Sequence, residues 1–334
     1  MQVNSLFIEE IKQIIEKNCL PSYRAKQIFN WLHKQQIQDF SKMNNISKSD
    51  REKLNTTFEI TALEIAKVLR SSDGSKKYLF ELSDKNQIEA VIMKGAKQRK
   101  TACVSSQVGC PLKCGICATG KIGFKRDLTA AEIIAQIELL YKESNGFENV
   151  VFMGMGEPLL NLDNVLKSIE IINHKDGLNI GARKITISTA GLPHQIIKLT
   201  EFQKQIRLAV SLNSAIEKKR NEIMPINNKY PLKRLIPAIR KYNEATGRRV
   251  TFEYVLIKDF NDQEEDLIAL MEACQDLIVN VNLIPLNPCG QKMKPSSEKV
   301  QNWFLEQLLR NKVNAVLRKS KGADIMAACG QLAV

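Results

Sequence analysis

Residues 149–212 read NVVFMGMGEPLLNLDNVLKSIEIINHKDGLNIGARKITISTAGLPHQIIKLTEFQKQIRLAVSL. Three short β-rich runs stand in that stretch, NVVFM (149–153), KITIS (184–188) and IRLAVSL (206–212), and residues 161–173 carry a helical pattern between the first two. Strands that alternate with helices in this way define βαβ units, whose neighbouring strands run parallel. Outward from the stretch the texture continues. ACVSS (102–106) precedes it, VTFEYVLI (250–257) and VNVNLIPL (279–286) follow, and helical stretches lie at 129–143, 231–245 and 263–274. Six units, with VNAVLRK (313–319) a candidate seventh, fall short of the eight in a closed barrel. The fold expected is α/β, a partial open (β/α)6-type barrel. Ligands in such sheets sit at the carboxyl ends of the strands.

Before Thr101 the pattern differs. Phe7, Ile8, Ile11, Ile14 and Ile15 share one helical face, and Ile28, Phe29, Trp31 and Leu32 anchor a second helix. KVLRSS and KKYLFEL form a hairpin-like pair about Asp73-Gly74, and QIEAVIM (87–93) adds a strand. The expected organisation is a small N-terminal α+β domain over residues 1–95 that contacts the partner, then a core over 96–334.

The chain has 334 residues, with 49 Lys+Arg against 36 Asp+Glu and a formal net charge of +13. At 44% hydrophobic and 25% charged it is a folding composition, not a disordered one. No apolar run is long enough for a membrane span, and the N-terminal helix carries acids where a signal peptide would be basic and then apolar. A cytoplasmic location is expected. Between Lys94 and Arg126 stand eight basic residues and no acidic one. Nucleic acid is the natural partner for such a window, since phosphate neutralisation supplies most non-specific affinity. GFKRDLT (123–129) adds Lys125 and Arg126, expected at the mouth of the site.

The same window holds Cys110-Pro-Leu-Lys-Cys114-Gly-Ile-Cys117, a C-x3-C-x2-C run after the first barrel strand. Clustered cysteines without an export signal point to metal or redox chemistry. Three thiolates at this spacing suit a [4Fe–4S] cluster with one iron left free of protein ligands, where the amino and carboxylate groups of S-adenosylmethionine can chelate. With Cys103 as a fourth thiolate the alternative is a zinc site in a non-catalytic RNA-binding protein. Cys19, Cys274 and Cys289 carry no motif, and His33, His174 and His194 lack ligand spacing.

CVSSQVGCPLKCGICATGKIGFKRDLT, FMGMGEPLLN, ITISTAG, MPINNKYPL, NLIPLNP and ADIMAACGQL, in this order, resemble radical S-adenosylmethionine enzymes and above all the RlmN family. The resemblance runs from about residue 20 to 332. It implies a radical SAM barrel and methylation of carbon 2 of an adenosine in 23S ribosomal RNA (peptidyl transferase region) and in transfer RNAs (next to the anticodon). The Cfr-type carbon-8 methyltransferases share most of these motifs; the Pro-Leu pair of NLIPLNP and the basic run RKSKGAD favour the carbon-2 family.

The resemblance also implies roles. Cys110, Cys114 and Cys117 hold the cluster. Cys329 carries a methyl group, Cys103 resolves a protein–RNA adduct by forming a disulfide with it, and Glu89 accepts a proton. Gly156, Glu157, Ser188, Ser211, Leu212, Asn213 and Asn287 contact S-adenosylmethionine, two of which are used per turnover. A reduced flavodoxin- or ferredoxin-type donor and a monomeric state are implied as well. The chain departs from the family pattern at Asn213, usually His, and at Ala90, usually Thr. Independently of the resemblance, Ala327, Ala328 and Gly330 are small and permit close approach to the Cys329 sulfur.

Overall fold

The computed structural model describes residues 1–95, 98–290 and 292–333. Ala96 and Lys97, in the basic window and at the expected domain boundary, lie outside the described residues. The strands among the described residues are β1 (Glu64–Arg70), β2 (Lys76–Glu81), β3 (Gln87–Lys94), β4 (Lys100–Cys103), β5 (Gln107–Gly109), β6 (Phe124–Asp127), β7 (Asn149–Phe152), β8 (Ile185–Thr189), β9 (Arg207–Ser211), β10 (Val250–Leu256), β11 (Val279–Pro285) and β12 (Ala315–Leu317).

One sheet contains ten of them, in the order β1-β2-β3-β4-β7-β8-β9-β10-β11-β12. From β4 onward every pairing is parallel, with Cys103 opposite Val151, Ser188 opposite Ala209 and Glu253 opposite Ser211. VNAVLRK supplies the seventh parallel strand, since β12 pairs with β11. Among the described residues neither end of the sheet pairs with the other, so the barrel stays open. The first crossover helix shows how sequence sets the frame. Ala130–Glu143 begins at a capping box, in which Thr129 accepts from the Glu132 amide and Glu132 accepts from the Thr129 amide. Its turns are buried almost all round, because it lies between the sheet and the N-terminal helices.

The hairpin β1–β2 turns at residues 71–75, where the Ser71 amide donates to the Ser75 carbonyl. Because β3 pairs antiparallel with β4, these N-terminal strands extend the barrel sheet. Tyr78, Phe80 and Ile88 share a core with Phe152 and Phe252. The helices before them have their own core, built on Ile11, Ile15, Ile28, Phe29 and Phe40 and seated on Ile134 and Ile171. The break in packing therefore falls near residue 60. Among the described residues no helix is long and apolar enough to cross a membrane.

Candidate functional site

The cysteine loop connects β5 to β6, a short hairpin beyond the end of β4. Gly115 donates to the Ile223 carbonyl at 2.9 Å and Cys117 to the Cys114 carbonyl at 3.2 Å, which coils the loop inward. Cys110, Cys114 and Cys117 line one cavity of about 190 Å3, walled by Leu112, Ile116 and Met224. Burial pushes the Cys110 thiol up to about 12, and it holds Cys114 well above the ordinary thiol range, with Cys117 and Cys110 adding to the effect. Three soft sulfur donors thus line one space, with apolar side chains beside them, a donor set that fits a [4Fe–4S] cluster bound by three cysteines. Among the described residues no His, Cys, Asp or Glu side chains gather tightly enough for a single metal ion, and Cys103 lines a different cavity.

The carboxyl ends of five strands close the same small cavity. Gly154, Gly156 and Glu157 follow β7, Ser188 lies on β8, Ser211 ends β9, Glu253 lies on β10 and Asn287 follows β11. At Gly156 φ is +101° and a Cβ would stand 2.5 Å from the Gln107 Cβ, so only glycine fits there. Glu157 is 3% exposed, accepting from the Leu159 amide at 3.0 Å and the Ala190 amide at 2.8 Å; burial raises its carboxyl to about 7. Asn213 adopts φ +56°, a left-handed conformation Asn tolerates. Its Oδ1 accepts from the Val255 amide at 3.1 Å, tying β9 to β10 where the family usually carries His.

A second cavity of about 900 Å3 lies inside the open barrel. Cys103 and Cys329 both line it, and it meets the smaller cavity at Met153, Glu253, Ile284, Asn287 and Cys329. Cys329 is therefore the cysteine common to both spaces. It is exposed to them, yet the surrounding walls push its thiol up to about 11. Burial holds Cys103 above the usual range, and neighbouring Cys329 adds to that. Asn287 donates to the Cys329 carbonyl at 3.1 Å, and Gln331 donates to the Pro288 carbonyl at 2.8 Å, which fastens the Cys329 loop to the end of β11. Among the described residues, seven basic side chains line the large cavity, Lys94, Arg99, Lys184, Arg207, Arg318, Lys319 and Lys321, against two acidic ones, Glu148 and Glu253.

Not every expected residue joins these spaces. The Leu212 side chain is fully buried in the main core. Glu89 lines neither cavity: it is 5% exposed, paired with Lys77 at 2.8 Å. Arg126 is committed to Asp84 at 2.7 Å and Glu132 at 2.8 Å, and Lys125 donates to Asn86 at 2.9 Å. Neither of them lines either cavity, whereas the basic side chains named above line the large one.

Sequence reading missed two inward-facing charged residues, half-buried Glu253 and fully buried Arg220. Glu253 stands among strand residues that read as apolar; burial lifts its carboxyl to about 7 while Asn282 donates to it at 2.9 Å. Arg220 is fully buried and donates to the carbonyls of Leu212 at 3.0 Å, Ala190 at 2.6 Å and Ser211 at 3.3 Å. It thereby caps two strand ends that wall the cofactor cavity. Arg220→Met is expected to cost about 3 kcal/mol, because buried carbonyls lose their donors. Denaturant unfolding of parent and variant checks this, and equal stabilities would refute it.

An open parallel barrel with three cysteines in the loop after its first strand defines a radical S-adenosylmethionine protein, and the Radical SAM superfamily model matches residues 104–271. A model of the ribosomal RNA large subunit methyltransferase N-terminal domain matches residues 5–60, the span of the separate helical core. The chain belongs to the RlmN family of dual-specificity RNA methyltransferases. It is 49% identical to the probable dual-specificity RNA methyltransferase RlmN of Petrotoga mobilis, over 94% of this chain and 90% of that one. The corresponding Thermotoga maritima protein is 46% identical over 98% of this chain and 96% of its own. A radical SAM methyltransferase from Sphaerobacter thermophilus superposes with a TM-score of 0.95, at 39% identity and 99% coverage of both chains.

Proposed function

We propose that this enzyme methylates carbon 2 of an adenosine in 23S ribosomal RNA, in the peptidyl transferase region, and of the adenosine next to the anticodon in transfer RNAs. The observation that carries the reading is Cys329 at the junction of a basic-walled cavity and a three-cysteine cavity. Carbon 2 of adenine lies between two ring nitrogens and is too electron-poor to attack a methyl sulfonium, so the methyl must reach it by a radical route.

When bound, the cluster held by Cys110, Cys114 and Cys117 supplies the electron that turns S-adenosylmethionine into a radical source. Gly156, Glu157, Ser188, Ser211, Asn213 and Asn287 form the polar wall that orients S-adenosylmethionine. Cys329 is the nucleophile that takes the methyl, and its proton leaves as the methyl arrives. One S-adenosylmethionine provides the methyl and a second the radical, two per turnover. The S-methyl carbon on Cys329, once it has lost a hydrogen atom, bonds to the base. Cys103 then attacks the Cys329 sulfur, a disulfide forms between them, and the sulfur–carbon bond breaks. That carbon keeps the electron pair and takes a proton to become the methyl group. Such a disulfide is transient and catalytic, which a reducing cytoplasm tolerates. Basic residues of the larger cavity hold RNA phosphates while the target base leaves its stack. The electron comes from a reduced flavodoxin- or ferredoxin-type protein, and the enzyme acts as a monomer.

The test is nucleoside mass spectrometry after anaerobic reaction of the cluster-loaded enzyme with a peptidyl transferase-region transcript and with transfer RNA. 2-Methyladenosine is expected from both. 8-Methyladenosine would assign the Cfr-type reaction instead, and no methyladenosine from either RNA would overturn the reading.

A further inference from the structure

The segment that carries Cys329 is gripped by the antiparallel strands that precede the barrel strands. Lys77 lies opposite Val91 and Glu89 opposite Leu79 in the β2–β3 pairing, so the two are diagonal neighbours on one face. Their ion pair measures 2.8 Å, with side chains only 9% and 7% exposed. Lys77 Nζ also donates to the Met326 carbonyl at 3.1 Å, and Glu89 Oε2 accepts from the Ala333 amide at 2.7 Å. A single buried pair thus bonds the main chain both before and after Cys329.

Other hydrogen bonds extend the grip. Asp73 Oδ2 accepts from the Gly322 amide at 3.0 Å, and Asp324 accepts from the Ser71 hydroxyl at 2.6 Å and the Ser72 amide at 3.0 Å. Gly322 has φ +65°, and a Cβ there would lie 2.8 Å from the Ala327 Cβ, so glycine is needed for the segment to fold back on itself. From the opposite side the cysteine loop takes hold. Ala118 donates to the Gly330 carbonyl at 2.7 Å and Thr119 Oγ1 to the Leu332 carbonyl at 2.5 Å. The Cys329 loop is suspended between the cluster loop and the β2–β3 pair.

We propose that Lys77 and Glu89 are positioning residues that hold Cys329 at the junction of the two cavities. Neither side chain lines either cavity. A buried ion pair adds little net stability over an apolar pair of the same volume. Its directional bonds to two main-chain groups are what an apolar pair could not supply. The catalytic consequence rests on the function proposed above, whereas the grip on the loop does not.

The experiment uses the cluster-loaded chain, handled anaerobically, with Lys77→Met, Lys77→Arg, Glu89→Gln and the double variant Lys77→Met/Glu89→Gln. The double variant leaves no unpaired buried charge, so it keeps the test open if Lys77→Met fails to fold. Hydrogen exchange across 327–333 and the alkylation rate of Cys329 are read first, then the S-methyl load on Cys329. Lys77→Met and the double variant are expected to speed exchange in this segment by about tenfold, as loss of a buried charged hydrogen bond allows. They should also lower the S-methyl load, with β10 and β11 unchanged. Lys77→Arg should restore most of the protection. Unchanged exchange in the double variant would overturn the proposal. So would Glu89→Gln with a normal loop and normal S-methylation but RNA left cross-linked, which would make Glu89 the proton acceptor. A loosened loop in a chain whose parent never carries S-methylcysteine would keep the grip and remove the proposed function.

Discussion

Cys103→Ala is expected to convert the enzyme into a trap: RNA becomes covalently joined to Cys329 and stays joined. Both sulfurs line the same cavity, and the charge of one bears on the other. Without the Cys103 thiol nothing attacks the Cys329 sulfur, so turnover stops after a single event per chain. Denaturing electrophoresis with labelled RNA should show a slow band that nuclease and protease both remove. Cys329→Ala should give neither band nor product, and adding it to Cys103→Ala should abolish the band. A Cys103→Ala protein that releases methylated RNA over many turnovers would remove Cys103 from the reaction.

Arg207→Ala/Arg318→Ala/Lys319→Ala is expected to weaken RNA binding at low salt by more than tenfold. The three side chains are exposed and line the large cavity. Removing one phosphate-neutralising charge should flatten the slope of log affinity against log salt by about 0.7 to 0.9, so the triple variant should lose about 2 to 3 from it. The charges of GFKRDLT behave differently. Arg126→Ala breaks a network with Asp84 and Glu132 whose hydrogen bonds hold the Asp84 carboxyl well below the usual range. It should therefore destabilise the hairpin and leave the salt slope near that of the parent. Fluorescence anisotropy across a salt titration separates the two, and an unchanged slope in the triple variant would sink the assignment of the basic wall.

The parallel sheet was readable because short β-rich runs alternate with helical stretches along the chain, although within the strands buried residues alternate with half-buried ones that line the large cavity. NVVFM, KITIS and VTFEYVLI stand out as apolar runs that end in glycine or polar residues, and the site lies at those ends. The β5–β6 hairpin was not readable, since Gln107–Gly109 is three residues long with no alternation to betray it. The burial of Glu89 and Lys77 was not readable, because composition cannot show that a distant segment, through Met326 and Ala333, covers them. Arg220 sits in EKKRNEI, where one arginine among charged neighbours gives no sign that it alone turns inward. The ion pairs of Arg126 were not readable for a related reason: its partner Asp84 lies outside the basic window.

An unclosed sheet also bears on which molecules can be served. Residues of β3 and β4 at one side and of β12 at the other line the same large cavity. A complete eight-stranded ring would fill that interior with side chains and admit only what its rim allows. Here a folded polymer has no need to be threaded. On the function proposed above, a folded RNA presents only one protruding base to the basic wall of this cavity. The cavity thus gauges whether a base can be offered at all, a criterion that two RNAs of unrelated architecture can both meet.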